Sequence, residues 1–306
     1  MPTIHHVSLI GLGAIGASYA AKLHAMDNQC LQIVADAPRI ERYRREGVFV
    51  NGERYDFNYV TPDMPLDPPD LVLVAVKYDG LDGAIQSLRN HVGPDTIILS
   101  LMNGISSEEM LGHAFGMDRV LYGMCVEIDA LRIGTSVTYS TFGRVCFGEK
   151  TNKVISPKVE AVQSLFERAG IPYEIPDDMQ RMMWWKFMIN VGINQTSAVL
   201  RAPYGVFQQQ KEARDVMHAA MREVLALSEK IGVHLTEQDI ERFHPILNAL
   251  SPEAKTSMLQ DIEAGRTTEV EYLAGTVCQL GRVYDVPTPV NDMLLKMIRV
   301  LQNGHA

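Results

Sequence analysis

Two groups of residues have types and spacing that can do chemistry. The first is Gly11-Leu12-Gly13-Ala14-Ile15-Gly16, the three-glycine spacing of a dinucleotide phosphate turn. In such a turn the first glycine makes the bend and the second admits phosphates against the backbone. The third lets a helix pack closely on a strand. Phosphate then rests at the helix N-terminus, where N–H groups and the dipole attract anions. The apolar run 7–10 before the turn and the helix-like run 17–24 after it supply the required context. Asp36 ends the next apolar run, 31–35, about 20 residues on, where an acidic side chain can accept hydrogen bonds from an adenosine ribose. A glycine-rich turn with no ligand is the plain alternative.

The second group is Lys186, Asn190 and Asn194, spaced i, i+4, i+8 in an otherwise apolar run. Each four-residue step of an α-helix turns about 400°, so the three would share one face over roughly 12 Å. A cation and two amides on a largely buried helix need partners, because unpaired buried polar groups are costly. A polar substrate would supply them; a satisfied structural network or a solvent face would do so too. Further on, Ser257-Met258-Leu259-Gln260-Asp261 and Arg266-Thr267-Thr268-Glu269 form another polar cluster. Thr268 reads as a cap for the helix that follows. Glu269 then falls in its first turn, where the dipole favours an anion. Spacing alone makes Glu269 a helix-start residue. Trp184, Trp185 and the methionine-rich helices read as core.

These residues need elements to hold them. The first half alternates strand-like runs (31–35, 70–76, 96–101) with helix-like runs (39–45, 78–90). The runs 70–76 and 96–101 are largely apolar, as strands buried on both faces are. That rhythm argues for a parallel, doubly wound sheet. Runs 136–140 and 144–148 read as strands either side of Gly143 and are expected to pair antiparallel. A helix over 157–169 and a strand over 172–175 close this half. Beyond Pro176 helical periodicity covers 179–197, 208–231, 237–247, 252–264, 268–284 and 290–302. Thr236 with Asp239 resembles a capping box. Ser251 before Pro252 reads as an N-cap, and Gly232 and Gly265 read as helix ends. The expected fold is α/β: a Rossmann-like doubly wound dinucleotide-binding domain over 1–176, then an all-helical substrate domain over 177–306, with a substrate cleft between them.

Composition narrows the function class. A chain of 306 residues suggests about two domains. A net charge of −9 argues against nucleic acid or an anionic membrane as partner. The 4 cysteines, Cys30, Cys125, Cys146 and Cys278, form no CxxC pair, and none of the 9 histidines has metal spacing, so neither a disulfide framework nor a metal is expected. The first residues have no basic region, and no apolar run reaches about 18 residues, so a cytoplasmic protein without signal peptide or membrane span is expected. The charge run 41–45 reads as a solvated face.

Over essentially its whole length the chain resembles the ketopantoate reductase (2-dehydropantoate 2-reductase) family. Besides the glycine turn, Val74-Ala75-Val76-Lys77 resembles the family's strand ending in lysine, and Met102-Asn103-Gly104 resembles its Asn-Gly turn. Phe147-Gly148-Glu149 resembles its Ile-Gly-Glu strand end. Trp184-Trp185-Lys186 with Asn190 and Asn194, and Ser257-Met258-Leu259-Gln260-Asp261 with Thr268-Glu269, resemble its two specific helical motifs.

The resemblance implies NADP(H)-dependent reduction of a small branched 2-oxo acid, ketopantoate to pantoate, in pantothenate biosynthesis. It implies that Lys186 is the general acid with Glu269 beside it. Asn103, Asn190, Asn194 and Ser257 would hold substrate or nicotinamide, and Lys77 would lie near the nicotinamide ribose. The segment Gly11, Leu12, Gly13, Ala14, Ile15 and Gly16 would hold the pyrophosphate. A homodimer is compatible with this reading. Two positions depart from the family. Ala254 stands where an asparagine usually lies, so one substrate contact is missing and another 2-oxo acid is an alternative. Asp36 stands where an arginine usually holds the 2′-phosphate of NADP. Aspartate favours the free 2′-hydroxyl of NAD, so NAD is the alternative cofactor unless Arg39 or Arg42 reaches the phosphate. A non-catalytic dinucleotide sensor is the rival of another class; it would have no need of a proton donor such as Lys186.

Overall fold

Leu71-Val72-Leu73-Val74 is buried along its whole length, and its two faces belong to different cores. Leu71 and Leu73 join one cluster, with Tyr19, Leu23, Val162 and Phe166. Val72 and Val74 join another, with Leu81, Ile85, Leu88 and Leu111. Successive strand side chains point to opposite faces, so a strand covered by helices on both sides must be apolar throughout. A computed structural model describes residues 3–303 of the chain. They divide into two compact units, with the boundary between Gln180 and Arg181.

The first unit contains β1 (Val7–Ile10), α1 (Ala14–Met26), β2 (Leu31–Val34), α2 (Ala37–Glu46), β3 (Val48–Val50), β4 (Glu53–Tyr55), β5 (Asn58–Val60) and β6 (Leu71–Val74). There follow α3 (Leu81–Leu88), β7 (Ile97–Ser100), α4 (Ser107–Phe115), β8 (Val120–Val126), β9 (Leu131–Ile133), β10 (Ser136–Thr138), β11 (Arg144–Gly148), α5 (Pro157–Ala169) and β12 (Tyr173–Glu174). Among the described residues the main sheet has 8 strands in the order β12-β11-β8-β7-β6-β1-β2-β5. It is parallel from β5 through β8, and β11 turns antiparallel against β8. This is the doubly wound arrangement that the βα rhythm calls for.

The expected pairing of 136–140 with 144–148 does not occur. β11 pairs with β8, Val145 opposite Cys125. β10 instead joins a small second sheet of order β4-β3-β10-β9. Gly143, at φ +67°, explains the separation: a side chain there would strike the backbone of Val126, Glu127 and Ile128. The chain is therefore pressed onto the end of β8 before β11 begins. Asp129 holds the other side of this loop by accepting from the N–H groups of Ser140 (2.9 Å) and Thr141 (2.8 Å).

The second unit is helical: α6 (Met179–Ile189, which begins at the end of the first unit), α7 (Gln195–Leu200), α8 (Tyr204–Gln209), α9 (Lys211–Ile231), α10 (Glu237–Glu241), α11 (Phe243–Ala249), α12 (Ser257–Glu263), α13 (Ala274–Tyr284) and α14 (Pro289–Asn303). Its core is rich in methionine; Met188, Met217 and Met221 are fully buried. The helical stretch expected at 208–231 is broken at Gln210, whose φ −98° and ψ 120° are extended. That at 237–247 is divided between α10 and α11. Ser251 is not the N-cap of the next helix. Residues 252–254 dock on the start of α8, Pro252 and Ala254 accepting from Gly205 (2.8 Å) and Tyr204 (3.0 Å). α12 starts only at Ser257, capped by Thr256, whose Oγ1 accepts from Leu259 N–H at 3.2 Å. Gly232 does end α9, in the left-handed conformation at φ +82°. Asp239 accepts from the Thr236 N–H at 2.8 Å, as the capping box requires.

Candidate active site

In the first unit the carboxyl ends of four strands are level. Ile10 lies opposite both Val34 and Val74, and Val74 lies opposite Ser100. The segments that follow these ends carry the glycine turn, Asp36, Lys77 and Asn103. In open α/β sheets ligands bind outside this edge.

The three glycines have separate physical reasons. Gly11 adopts φ +101°, and a side-chain carbon there would lie 2.6 Å from the Ala75 carbonyl. Gly16 faces Gly11, whose carbonyl oxygen would collide with any added carbon. Gly13 differs: its nearest neighbour would be Ala75 O at 3.8 Å. Its backbone is extended, with φ −73°, and it caps α1 without any side-chain partner. The first-turn N–H groups of Ala14, Ile15 and Gly16 have no acceptor within the helix. Gly13 thus leaves an open approach to a helix N-terminus, the cradle that a pyrophosphate needs. Arg132 of β9 donates from Nη1 to the Leu12 carbonyl and from Nε to Gly134 O (2.8 Å). No sequence signal pointed to Arg132, since it lies 120 residues from the turn it touches.

Asp36 ends β2 and caps α2. Its Oδ1 accepts from the Arg39 N–H at 2.8 Å, and Oδ2 lies 3.5 Å from Arg39 Nε. Both side chains are more than half exposed, at 52% and 64%. A carboxylate and a guanidinium therefore stand together at the end of β2. Lys77 follows β6 and precedes a one-turn 3₁₀ helix, Tyr78–Gly80.

Asn103 follows β7 in a turn with a polar foundation. Met102 N–H donates to Ser100 Oγ (3.3 Å), and Ser100 Oγ and Ser107 Oγ are 2.8 Å apart. Ser107 Oγ in turn donates to Glu108 Oε2 at 3.0 Å. Glu108 is 1% exposed, and its Oε1 has no hydrogen-bond partner. Burial pushes its carboxyl up from 4.5 to about 7. Sequence reading missed Glu108 because a glutamate in a helix's first turn reads as a dipole partner.

In the second unit α6 does not continue as an α-helix. Residues Asn190–Asn194 form a π-helical turn before α7 resumes. The 400° step therefore holds from Lys186 to Asn190 and fails from Asn190 to Asn194. All three are nonetheless half-buried, while Phe187, Met188, Val191 and Ile193 are buried, so the polar groups line the less buried side. The wider turn displaces carbonyls from the i+4 ladder, and side chains meet two of them. Gln195 Nε2 donates to Val191 O (2.7 Å), and Thr196 Oγ1 donates to Gly192 O (2.6 Å). Gly192 is needed for packing, because a side chain there would lie 2.5 Å from Met221 on α9.

Ser257 is exposed at the start of α12. Its neighbour Thr256 donates to Ser197 Oγ on α7 at 3.1 Å, which ties α12 to the same helix run. Glu269 is half-buried and caps a 3₁₀ turn, Val270–Tyr272. The helix expected to start at Thr268 starts at Ala274. Thr268 does not cap it; its hydroxyl donates to Gln302 on α14 at 2.8 Å. The dipole argument for Glu269 therefore lapses. Among the described residues no cluster could hold a metal ion, and no helix is long and apolar enough to cross a membrane.

The family described as "Ketopantoate reductase PanE/ApbA" matches residues 7–152, and its C-terminal counterpart matches 178–302. The chain belongs to the ketopantoate reductase family. Membership makes it an oxidoreductase. The chain is 24% identical to the 2-dehydropantoate 2-reductase of Aquifex aeolicus, over 95% of each chain. The crystal structure of 2-dehydropantoate 2-reductase from Methylococcus capsulatus superposes with TM-score 0.83, at 26% identity over 98% of each chain. A D-mandelate dehydrogenase in complex with NADH shares the fold at TM-score 0.87 and 19% identity, over 98% of this chain and 99% of that one.

Two outcomes test the first unit. Gly13→Val should fold normally, since its backbone is extended and its neighbours distant, yet lose nicotinamide-dinucleotide binding by calorimetry. Tight binding by this variant would move the phosphates elsewhere. Glu108 should make stability fall as pH rises. Its folded carboxyl titrates higher than the unfolded one, so its contribution is complete below about 4.5 and is lost as pH passes about 7. The loss is on the order of 3 kcal/mol. Glu108→Gln should flatten this part of the melting profile between pH 5 and 8. Parallel profiles for the two proteins would show that Glu108 does not titrate there.

Proposed function

We propose that this protein reduces a small 2-oxo acid with a nicotinamide dinucleotide, ketopantoate to pantoate being the simplest case. The observation that carries the reading is the half-buried set of Lys186, on α6, with Asn190 and Asn194, on the π turn that follows, in an otherwise apolar helix run. When bound, a reduced nicotinamide would supply the hydride that the C2 carbonyl carbon receives. Negative charge then develops on the carbonyl oxygen. An ammonium at Lys186 Nζ stabilises that charge and donates the proton that completes the hydroxyl. Asn190, Asn194 and Ser257 bind and orient the substrate, and Glu269 works beside Lys186. Asn103 and Lys77 hold the nicotinamide end in the first unit. The open backbone at Gly13, with Leu12, Ala14 and Ile15, receives the pyrophosphate. We assign the dinucleotide role to 1–176 and the substrate role to 177–306.

For the cofactor we propose NADP(H), with Arg39 as the partner of the 2′-phosphate. Asp36, 3.5 Å from Arg39, offers an acceptor to the 2′-hydroxyl of NAD(H) and makes it the alternative. A second substrate reading rests on Ala254, whose methyl group can donate no hydrogen bond: the same chemistry on a different small 2-oxo acid. Oxidation of NADPH and NADH against a panel of 2-oxo acids that includes ketopantoate separates these readings.

Lys186→Ala should lower kcat about 100-fold or more, the usual scale for a general acid, with dinucleotide affinity retained. Near-normal turnover would remove Lys186 from the mechanism. Asp36→Arg should raise the ratio of kcat/KM for NADPH over NADH, and Arg39→Ala should lower it. Unchanged ratios in both variants would mean that the end of β2 does not face the adenosine ribose.

A further inference from the structure

We propose that Gln195 is the positioning residue of the substrate side, fixing the turn that carries Asn190 and Asn194 to the segment that carries Glu269. The inference rests on the function proposed above for those three residues. Gln195 is fully buried. Its one amide group makes three hydrogen bonds to three different segments. Nε2 donates to Val191 O at 2.7 Å, inside the π turn, and to Asn291 Oδ1 at 3.1 Å, at the start of α14. Oε1 accepts from the Ala274 N–H at 3.0 Å, the first residue of α13. Both N–H groups of the amide and one of its oxygen lone pairs are used.

Each end of this link leads to a group proposed to act on substrate. Val191 lies between Asn190 and Asn194. Ala274 follows Leu273, whose N–H donates to Glu269 O at 3.2 Å at the end of the 3₁₀ turn Val270–Tyr272. The amide itself is held in one orientation. Asn291, also fully buried, donates from Nδ2 to Glu223 Oε2 (2.7 Å) and to Ala220 O (3.2 Å), so its own Oδ1 must face Gln195. Glu223 is fixed in turn by the N–H groups of Val290 (2.7 Å) and Asn291 (3.0 Å). The chain Glu223–Asn291–Gln195 therefore ties α9, α14, the π turn and the start of α13 together. Groups that act on substrate must be held within roughly 0.5 Å, and buried, fully satisfied networks give that rigidity.

The test is Gln195→Glu, which keeps the volume but sets a carboxylate against two acceptors, Val191 O and Asn291 Oδ1. Gln195→Met, which removes all three bonds, is the second variant. With the 2-oxo acid that wild type turns over fastest, kcat should fall at least 10-fold in either variant, while NADPH affinity stays within about 2-fold. Gln195→Glu should recover kcat relative to wild type as pH falls, because the protonated carboxyl regains a donor. Unchanged kcat with a lowered melting temperature would make Gln195 purely structural and overturn the proposal. Amide hydrogen exchange is read in parallel and needs no turnover. Exchange should quicken together at 190–195 and at 270–275 in Gln195→Glu. Quickening at the first segment alone would show that Gln195 links nothing and would also overturn it. If wild type turns over no 2-oxo acid, the proposed function fails, and the exchange experiment still decides whether Gln195 joins the two segments.

Discussion

The close passage of the backbone at Gly11 past Ala75 is the constraint on which the first unit depends. A side-chain carbon at Gly11 would sit 2.6 Å from the Ala75 carbonyl carbon, and Gly16 has no room against Gly11 O. These two glycines let β1 and α1 meet with almost nothing between them. Only then does the N-terminus of α1 fall level with the carboxyl ends of β2, β6 and β7. Gly13 is the exception that gives the arrangement its use. It is the one glycine of the turn with open space beside it, and that space adjoins the first-turn N–H groups of α1.

The second unit solves a different problem. A polar face must be offered from a helix whose other sides are buried among Met188, Phe187 and Val191. An uninterrupted α-helix would satisfy its own backbone but would fix every side chain at 100° steps. The π turn at Asn190–Asn194 breaks that spacing at the cost of displaced carbonyls. The sequence supplies the remedy immediately downstream, in the amide of Gln195 and the hydroxyl of Thr196. Gly192 then allows α9 to close on the widened turn through Met217 and Met221. Local polar chemistry and packing thus agree on one irregular geometry, which either alone would not specify.

Buried polar groups behind both sets of candidate site residues follow one pattern. In the first unit Met102, Ser100, Ser107 and Glu108 form a relay beneath the turn of Asn103. In the second, Glu223, Asn291 and Gln195 form one beneath Asn190, Asn194 and the Glu269 segment. Each relay ends on a carboxyl group away from solvent. The difference lies in how that group is satisfied. Glu223 accepts three N–H donors. Glu108 lacks a partner for Oε1, and burial favours its neutral form. A buried carboxyl without enough donors is pushed toward its neutral form.

The sequence by itself determined the architecture of this protein and the residue types at its candidate site. The glycine turn, the doubly apolar strands and the long amphipathic helices are local patterns. Period 2 and period 3.6 are visible in neighbouring residues and made the spacing of Lys186, Asn190 and Asn194 legible; Asp36 was legible from its distance to the glycine turn. Other features waited for the tertiary structure, because their causes lie far away in the chain. β10 pairs not with β11 but with β3, where Phe49 lies 87 residues before its partner Ser136. Ser251 lost its capping role because Pro252 and Ala254 dock on α8. Thr268 turned to Gln302 on α14 in place of capping a helix. Arg132 reached Leu12 across the fold. The π turn is the clearest case. Its residues read as plain α-helix, since a single widened turn leaves the hydrophobic pattern on either side of it intact. The packing of Gly192 on Met221 and the hydrogen bonds of Gln195 to Val191, Asn291 and Ala274 accompany it, and no local pattern can show a bond between residues 96 positions apart.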